Sequence, residues 1–149
     1  MRSGAVMLNQ EKGRRSQKFE DRLCETCDRG VEESVTHFLL DCPCKEYIEA
    51  RQKFSEKLEG YCHTCDSMNV YNMWCGVNVD DRLRVVLGDC DVYVRGNPGE
   101  EKDAKTIASH IRKISNRFLI AIWDVRKHLL FPDLVLTSGA QLPRSGAAS

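Results

Sequence analysis

The stretch DRLCETCDRGVEESVTHFLLDCP, residues 21–43, constrains the fold of this chain more than any other. Two residues separate Cys24 from Cys27, nine more precede His37, and four more precede Cys42. A Cys-x2-Cys turn presents two thiolates on one side of a tight knuckle, and a short helix after it can supply two further ligands. Because thiolate is a soft ligand, this set favours Zn²⁺ over hard cations such as Mg²⁺. The spacing therefore predicts a structural zinc site with a closed Cys3His ligand set.

The alternative is that Cys24 and Cys27 are reduced surface cysteines and that His37 is a solvated helix residue. The first ten residues contain no apolar run of the signal-peptide kind, and no apolar stretch reaches the length of about eighteen residues that a transmembrane helix needs. We therefore expect an intracellular protein, nuclear or cytoplasmic, that makes no membrane contact. Cysteines in such a compartment are mostly reduced, so closely spaced pairs indicate metal binding more than disulfides.

Four of the eight cysteines lie further along the chain, at Cys62, Cys65, Cys75 and Cys90. Cys62-x2-Cys65 followed by Cys75 repeats the first spacing with cysteine in place of histidine. No regular element clearly frames these residues, so we expect them not to bind metal, although a second site stays open. Cys44 is either an alternate ligand or a small residue that faces the core.

The formal net charge of zero conceals an uneven distribution. Residues 1–24 carry a net charge of +3 and residues 104–149 a net charge of +5, whereas residues 25–66 carry −5 and residues 67–103 carry −3. Basic ends around an acidic middle matter for any polyanionic partner. The alternative is that solvated faces simply alternate in sign.

Periodicity and capping residues predict a mainly α-helical fold with a small zinc knuckle or hairpin. Ser34 is a suitable N-cap for a short helix. Pro43 suits the first turn of a second helix, which runs to about Leu58 and which Gly60 can end. A third, short helix at 80–88 ends at Gly88. A long helix from about Asp103 to Leu130 has apolar residues at seven-residue steps. The predicted core is Phe38, Leu39, Tyr47, Phe54, Leu58, Leu83, Leu87, Ile111, Phe118 and Ile122.

The predicted organisation has five parts. They are a basic N-terminal extension at 1–20, a zinc-binding knuckle plus helix at 21–60, a loop-rich connector with a short helix at 61–102, a long helix packing on the zinc module at 103–131, and a disordered tail at 132–149.

The cysteine-rich segment also carries a family resemblance. The chain resembles the C-terminal zinc-finger region of non-LTR retrotransposon reverse transcriptases. The resemblance is carried by the runs RSG, GRR, RLCETC and VEESVTHFLLDCP, then by Arg51 and Phe54, and later by Trp123-Asp124-Val125-Arg126. The resemblance is most specific from Arg22 to Pro43. It implies that the four predicted ligands bind zinc, and that the chain is an appendage that helps a polymerase hold RNA or DNA.

The polymerase itself has no counterpart in this sequence. Reverse transcriptases place two metal-binding aspartates in an aromatic-x-Asp-Asp hairpin, whereas Asp80-Asp81 here follows Asn78-Val79 and opens a predicted helix. We therefore predict a non-catalytic, nucleic-acid-binding zinc module of retroelement origin. The residues expected to contact phosphates are Arg14, Arg15, Lys18, Arg22, Arg112, Lys113 and Arg117. The alternative is a zinc-stapled helical domain that binds a protein partner and no nucleic acid.

Overall fold

The computed structural model describes Leu8, residues 18–90 and residues 101–133. Within these ranges the chain is mainly helical, as the sequence predicts, and has no β-strand. A 3-10 turn at Glu20–Arg22 and a π-helical turn at His37–Asp41 come first. The helices that follow are α1 (Lys45–Thr64), α2 (Met68–Cys75), α3 (Val79–Leu87) and α4 (Glu101–Leu130).

The long helix α4 packs against α1. Phe54 of α1 stacks on Phe118 of α4 with ring centroids 4.7 Å apart, and Tyr61 stacks on His110 at 4.0 Å. Because a later residue of α1 meets an earlier residue of α4, the two helices are antiparallel. The seven-residue apolar steps of α4 put one stripe of the helix into the core, which is the packing that the sequence predicts.

Helix α3 lies between α2 and α4 and is capped at both ends. The side chain of Asn78 accepts a hydrogen bond from the backbone N–H of Asp81 at 3.1 Å. At the other end Gly88 adopts the left-handed conformation, with φ +75°, and ends the helix as predicted. The buried Ser115 hydroxyl of α4 donates a hydrogen bond to the backbone oxygen of Val85 at 2.8 Å, which fixes α3 against α4.

Two predicted features of the helices are wrong. Helix α1 continues through Gly60 to Thr64, because its buried face continues from Leu58 to Cys62, both with no exposed surface. That burial outweighs the cost of about 0.5–1 kcal/mol for a glycine inside a helix. Helix α2 was expected to be loop, but it buries Val70 and Trp74.

The predicted core is confirmed except on α3. Leu83 is only partly buried against the core, and Leu87 is 54% exposed, so its assignment to the core is wrong. The face of α3 that packs between α2 and α4 instead contains Val85 and Val86, neither of which has exposed surface. The other predicted core residues are buried: Phe38, Leu39, Tyr47, Phe54, Leu58, Ile111, Phe118 and Ile122.

The two glycines allow a matched test of this fold. Alanine at Gly88 would keep φ at +75° and place its Cβ 2.9 Å from Arg112 Cγ, so Gly88→Ala should lower the free energy of unfolding. The left-handed conformation alone costs an L-residue about 1–2 kcal/mol. Gly60→Ala meets no atom within 4 Å and should raise the free energy of unfolding by about 0.5–1 kcal/mol. Urea denaturation followed by circular dichroism measures both, and a destabilising Gly60→Ala would contradict the continuous α1.

Candidate metal centre

The first two ligands lie in a small hairpin before the helices. The backbone N–H of Cys24 donates to the oxygen of Val31 at 2.9 Å, and that of Glu33 donates to the oxygen of Arg22 at 2.8 Å. Between Cys24 and Val31 the chain reverses direction through a turn in which Gly30 has φ +61°. This conformation suits glycine, which has no Cβ to clash with the backbone. The hairpin is the knuckle that the Cys-x2-Cys spacing predicts, and it carries both Cys24 and Cys27.

The other two ligands lie at the ends of the π-helical turn. Ser34 begins this segment, as predicted, because its hydroxyl accepts a hydrogen bond from the backbone N–H of His37 at 3.1 Å. The backbone N–H of Cys42 then donates to the oxygen of His37, five residues earlier, at 2.6 Å. Residues five apart in an α-helix point about 140° away from each other. The wider π turn reduces this angle and brings His37 and Cys42 towards one side. The segment is therefore a π turn and not the short α-helix that the sequence predicts, because the π turn brings the two side chains together.

The four predicted ligands come together in one cluster. The ligand atoms of Cys24, Cys27, His37 and Cys42 all lie within 4.8 Å of one another. Cys24 Sγ is 3.9 Å from Cys42 Sγ, and Cys27 Sγ is 3.4 Å from His37 Nε2. Three sulfurs and one imidazole nitrogen therefore surround a common point, and this group could hold a metal ion.

Neighbouring polar groups hold the ligands in place. The hydroxyl of Thr26 lies 3.1 Å from Cys24 Sγ and 3.6 Å from Cys42 Sγ, where it can donate to a thiolate. Arg51 of α1 donates a hydrogen bond from Nη2 to the backbone oxygen of Cys42. Such outer contacts orient metal ligands and stabilise their charged form.

Burial changes the acid–base properties of two members of the cluster. Burial, together with the nearby Cys24 and Cys27 sulfurs, raises the pKa of Cys42 to about 12. Without a cation, this thiol therefore keeps its proton at neutral pH, whereas a coordinated metal ion stabilises the thiolate. Burial also lowers the pKa of His37, which favours the neutral imidazole that a metal requires.

The remaining cysteines do not join this cluster. Cys44 Sγ instead donates to Glu46 Oε2 at 3.0 Å. Cys62 is buried in α1, where burial raises its pKa to about 11, and Cys75 is exposed at the end of α2. In the described parts of the chain, the first cluster is the only His, Cys, Asp and Glu group with the geometry of a metal site. Whether the later cysteines bind metal stays a prediction.

The residues expected to contact nucleic acid that the structure describes lie in two separate places, Lys18 and Arg22 before the knuckle and the others on α4. Arg14 and Arg15 lie outside the described residues, Lys18 is exposed, and Arg22 is partly buried with its Nη1 3.9 Å from a Glu32 carboxylate oxygen. On α4, Lys113 and Arg117 are exposed, and Arg112 is exposed with its aliphatic part against Gly88. The knuckle packs against α4 near Arg126. About 20 Å of helix separates Lys113 from Arg126.

Sequence reasoning missed the residues that attach the knuckle to α4. Arg126 donates from Nε to Glu33 Oε1 at 3.0 Å and from Nη2 to Glu33 Oε2 at 2.8 Å, and neither side chain has exposed surface. Although burial opposes the charge, the hydrogen bonds and charge of Glu33 raise the pKa of Arg126. The available signal was the Trp123-x2-Arg126 motif that contributed to the family resemblance.

Comparison of the chain with protein-family models, with curated proteins and with solved structures finds no match. No helix among the described residues has both the length and the apolar composition needed to cross a membrane.

The geometry predicts which cysteine is the fourth ligand. Cys42→Ser should release the metal, because serine lacks the thiolate that completes the cluster, whereas Cys44→Ser should retain it. Metal analysis of the two purified variants measures the difference, and a chelator added to the wild type should reproduce the Cys42→Ser result. Full metal occupancy in Cys42→Ser together with metal loss in Cys44→Ser would assign the fourth ligand to Cys44.

A second prediction concerns the number of ions. Because Cys62 and Cys65 lie apart from the cluster, the double variant Cys62→Ser/Cys65→Ser should keep the same metal content as the wild type. Native mass spectrometry counts the bound ions directly. Two ions in the wild type and one in the variant would show a second site that includes these cysteines.

Proposed function

We propose that Cys24, Cys27, His37 and Cys42 bind one Zn²⁺ and that this ion has a structural role. Bond lengths of about 2.3 Å to sulfur and about 2.0–2.1 Å to nitrogen give a tetrahedron with edges of about 3.8 Å between sulfurs and about 3.6 Å between sulfur and nitrogen. Two of the six separations, 3.9 Å between Cys24 Sγ and Cys42 Sγ and 3.4 Å between Cys27 Sγ and His37 Nε2, lie close to these edges, and all six are within 4.8 Å. This agreement is the observation that carries the proposal.

A structural ion accounts for how the knuckle folds. The hairpin and the turn after it offer little apolar burial of their own, since Val31 of the hairpin and Val35 of the turn are 37% and 42% exposed. Binding zinc to such a ligand set contributes on the order of 10 kcal/mol, which becomes folding free energy for the segment. Four protein ligands leave no open coordination position for a substrate or an activated water. The proposed module is therefore non-catalytic.

We further propose that this zinc module binds RNA or DNA, as the resemblance to retroelement reverse transcriptases implies. The support comes from the charge of α4. Residues 104–123 contain four basic side chains and no acidic one, and Lys113 and Arg117 among them are exposed. A helix face with one sign of charge attracts phosphates and releases their counterions.

The second candidate is a zinc-stapled domain that binds a protein partner and no nucleic acid. The net charge of −5 on residues 25–66 favours it, because that segment contributes the knuckle and α1 and repels phosphates. The two candidates differ in their response to salt, since counterion release is absent where no phosphate is bound.

A salt series tests the proposed nucleic-acid binding. Fluorescence anisotropy with labelled single-stranded and duplex RNA and DNA, between about 50 and 200 mM salt, should show steeply weakening binding. Lys113→Gln/Arg117→Gln should reduce the slope of log K against log salt by about 1.4 for a single strand or about 1.8 for a duplex. Absence of binding to all four probes by zinc-loaded wild-type protein would favour the protein-interaction candidate.

A further inference from the structure

We infer that the nucleic acid bound by this protein is single-stranded and that it occupies one half of the groove between α1 and α4. This inference rests on the proposed function and names the ligand class and its site. The half-groove runs from an aromatic pair, Tyr61 and His110, to a group of cations around Arg117. We call it the cationic half-groove.

Cations from both helices converge on this region. Lys53 and Lys57 lie four residues apart on α1, and Lys113 and Arg117 lie four residues apart on α4, so each pair shares one face of its helix. Lys53, Lys57 and Arg117 line a cavity of about 260 Å³ whose apolar wall includes Phe54. Among the described residues these four cations form no ion pair, which leaves their charge for an external anion.

An aromatic platform lies beside the cations. The rings of Tyr61 and His110 stack with centroids 4.0 Å apart and an interplanar angle of 11°. His110 is exposed and also lines a shallow cavity of about 300 Å³ with Lys105 and Lys113. Tyr61 fixes the histidine ring from one side, and a nucleobase can stack against its accessible part. A single strand offers the faces of its bases for such stacking, whereas a duplex keeps them inside.

The far end of the same groove is acidic. Glu46 and Glu49 line it next to Val125, so a phosphate chain that continued past Arg117 would meet two carboxylates. From His110 to Arg117 the helix rises by about 10 Å, which limits the bound strand to a few nucleotides.

The cations also continue along α4 to Lys105, beyond the cavity that contains Arg117. An extended row of this kind suits a polyanion better than a single carboxylate or phosphate.

The phosphate contacts are tested by charge removal on α1, using the full chain loaded with zinc. Lys53→Gln/Lys57→Gln should weaken binding to a labelled single-stranded oligonucleotide and reduce the salt slope by about 1.4. The control Arg29→Gln/Lys127→Gln removes the same net charge at exposed positions outside the half-groove and should leave the slope unchanged. Glu46→Gln/Glu49→Gln should tighten binding. Circular dichroism checks that each variant is folded.

The stacking platform is tested by His110. His110→Ala should weaken single-strand binding by at least about fivefold without changing the salt slope, because a base–aromatic stack contributes about 1–3 kcal/mol. His110→Phe keeps an aromatic ring and should retain the affinity. The same changes should leave any duplex binding unaltered.

The outcomes separate this site from the proposed function. Failure of the wild-type protein to bind any nucleic acid overturns the proposed function and this site with it. Wild-type binding with equal slopes for the Lys53/Lys57 variant and its control overturns this site alone, as does duplex binding as tight as single-strand binding. A reduced slope for the α1 variant together with an aromatic requirement at position 110 supports it.

Discussion

The buried ion pair between Glu33 and Arg126 joins the cysteine knuckle to the long helix. The guanidinium contacts both carboxylate oxygens, at 3.0 Å and 2.8 Å, and both side chains are fully buried. Removing one partner of such a pair typically costs about 3–5 kcal/mol, because the other charge remains in a site without water. The knuckle has no β-strand to attach it to the helices. Its position relative to α4 therefore depends strongly on this pair.

The same region connects the metal cluster with the apolar core. Phe38 follows the ligand His37 and has its ring centroid 5.3 Å from that of Tyr47 and 4.9 Å from that of Trp123. The guanidinium of Arg126 lies 5.6 Å from the centroid of the Trp123 ring. One aromatic cluster thus borders both the ligand turn and the ion pair. The turn that contains His37 is thus in direct contact with side chains that pack between α1 and α4.

Local patterns in the sequence predicted the parts of the structure that depend on local chemistry. The spacing of Cys24, Cys27, His37 and Cys42 identified a cluster whose ligand atoms come within 4.8 Å, and the seven-residue steps identified α4. The sequence did not show which glycine ends a helix, because the effect of a glycine depends on the tertiary contacts of its neighbours. Gly88 ends α3 in a left-handed conformation, whereas α1 continues through Gly60 since buried side chains lie on both sides of it.

Features that depend on pairing between distant segments could not be predicted in this way. Glu33 and Arg126 are 93 residues apart, and each separately has the appearance of a surface charge. The expected basic surface is likewise redistributed by the fold. The antiparallel packing of α1 and α4 places Lys53 and Lys57 beside Arg117, although their segment has a net negative charge. The net charge of a segment therefore does not show how its charges are divided between the faces of a helix, because a helix separates acidic and basic residues that are adjacent in sequence.

The proposed metal site and the cationic half-groove lie towards opposite ends of α4. About 20 Å of helix separates Lys113 from Arg126, and neither Lys53 nor Lys57 belongs to the metal cluster. Bound zinc would therefore act on the half-groove through the core and not through direct contact with a phosphate. We propose that its contribution to nucleic-acid binding is the orientation of α1, which Arg51 connects to the backbone oxygen of Cys42. In this proposal the metal stabilises the arrangement of the two helices, and both helices supply cations.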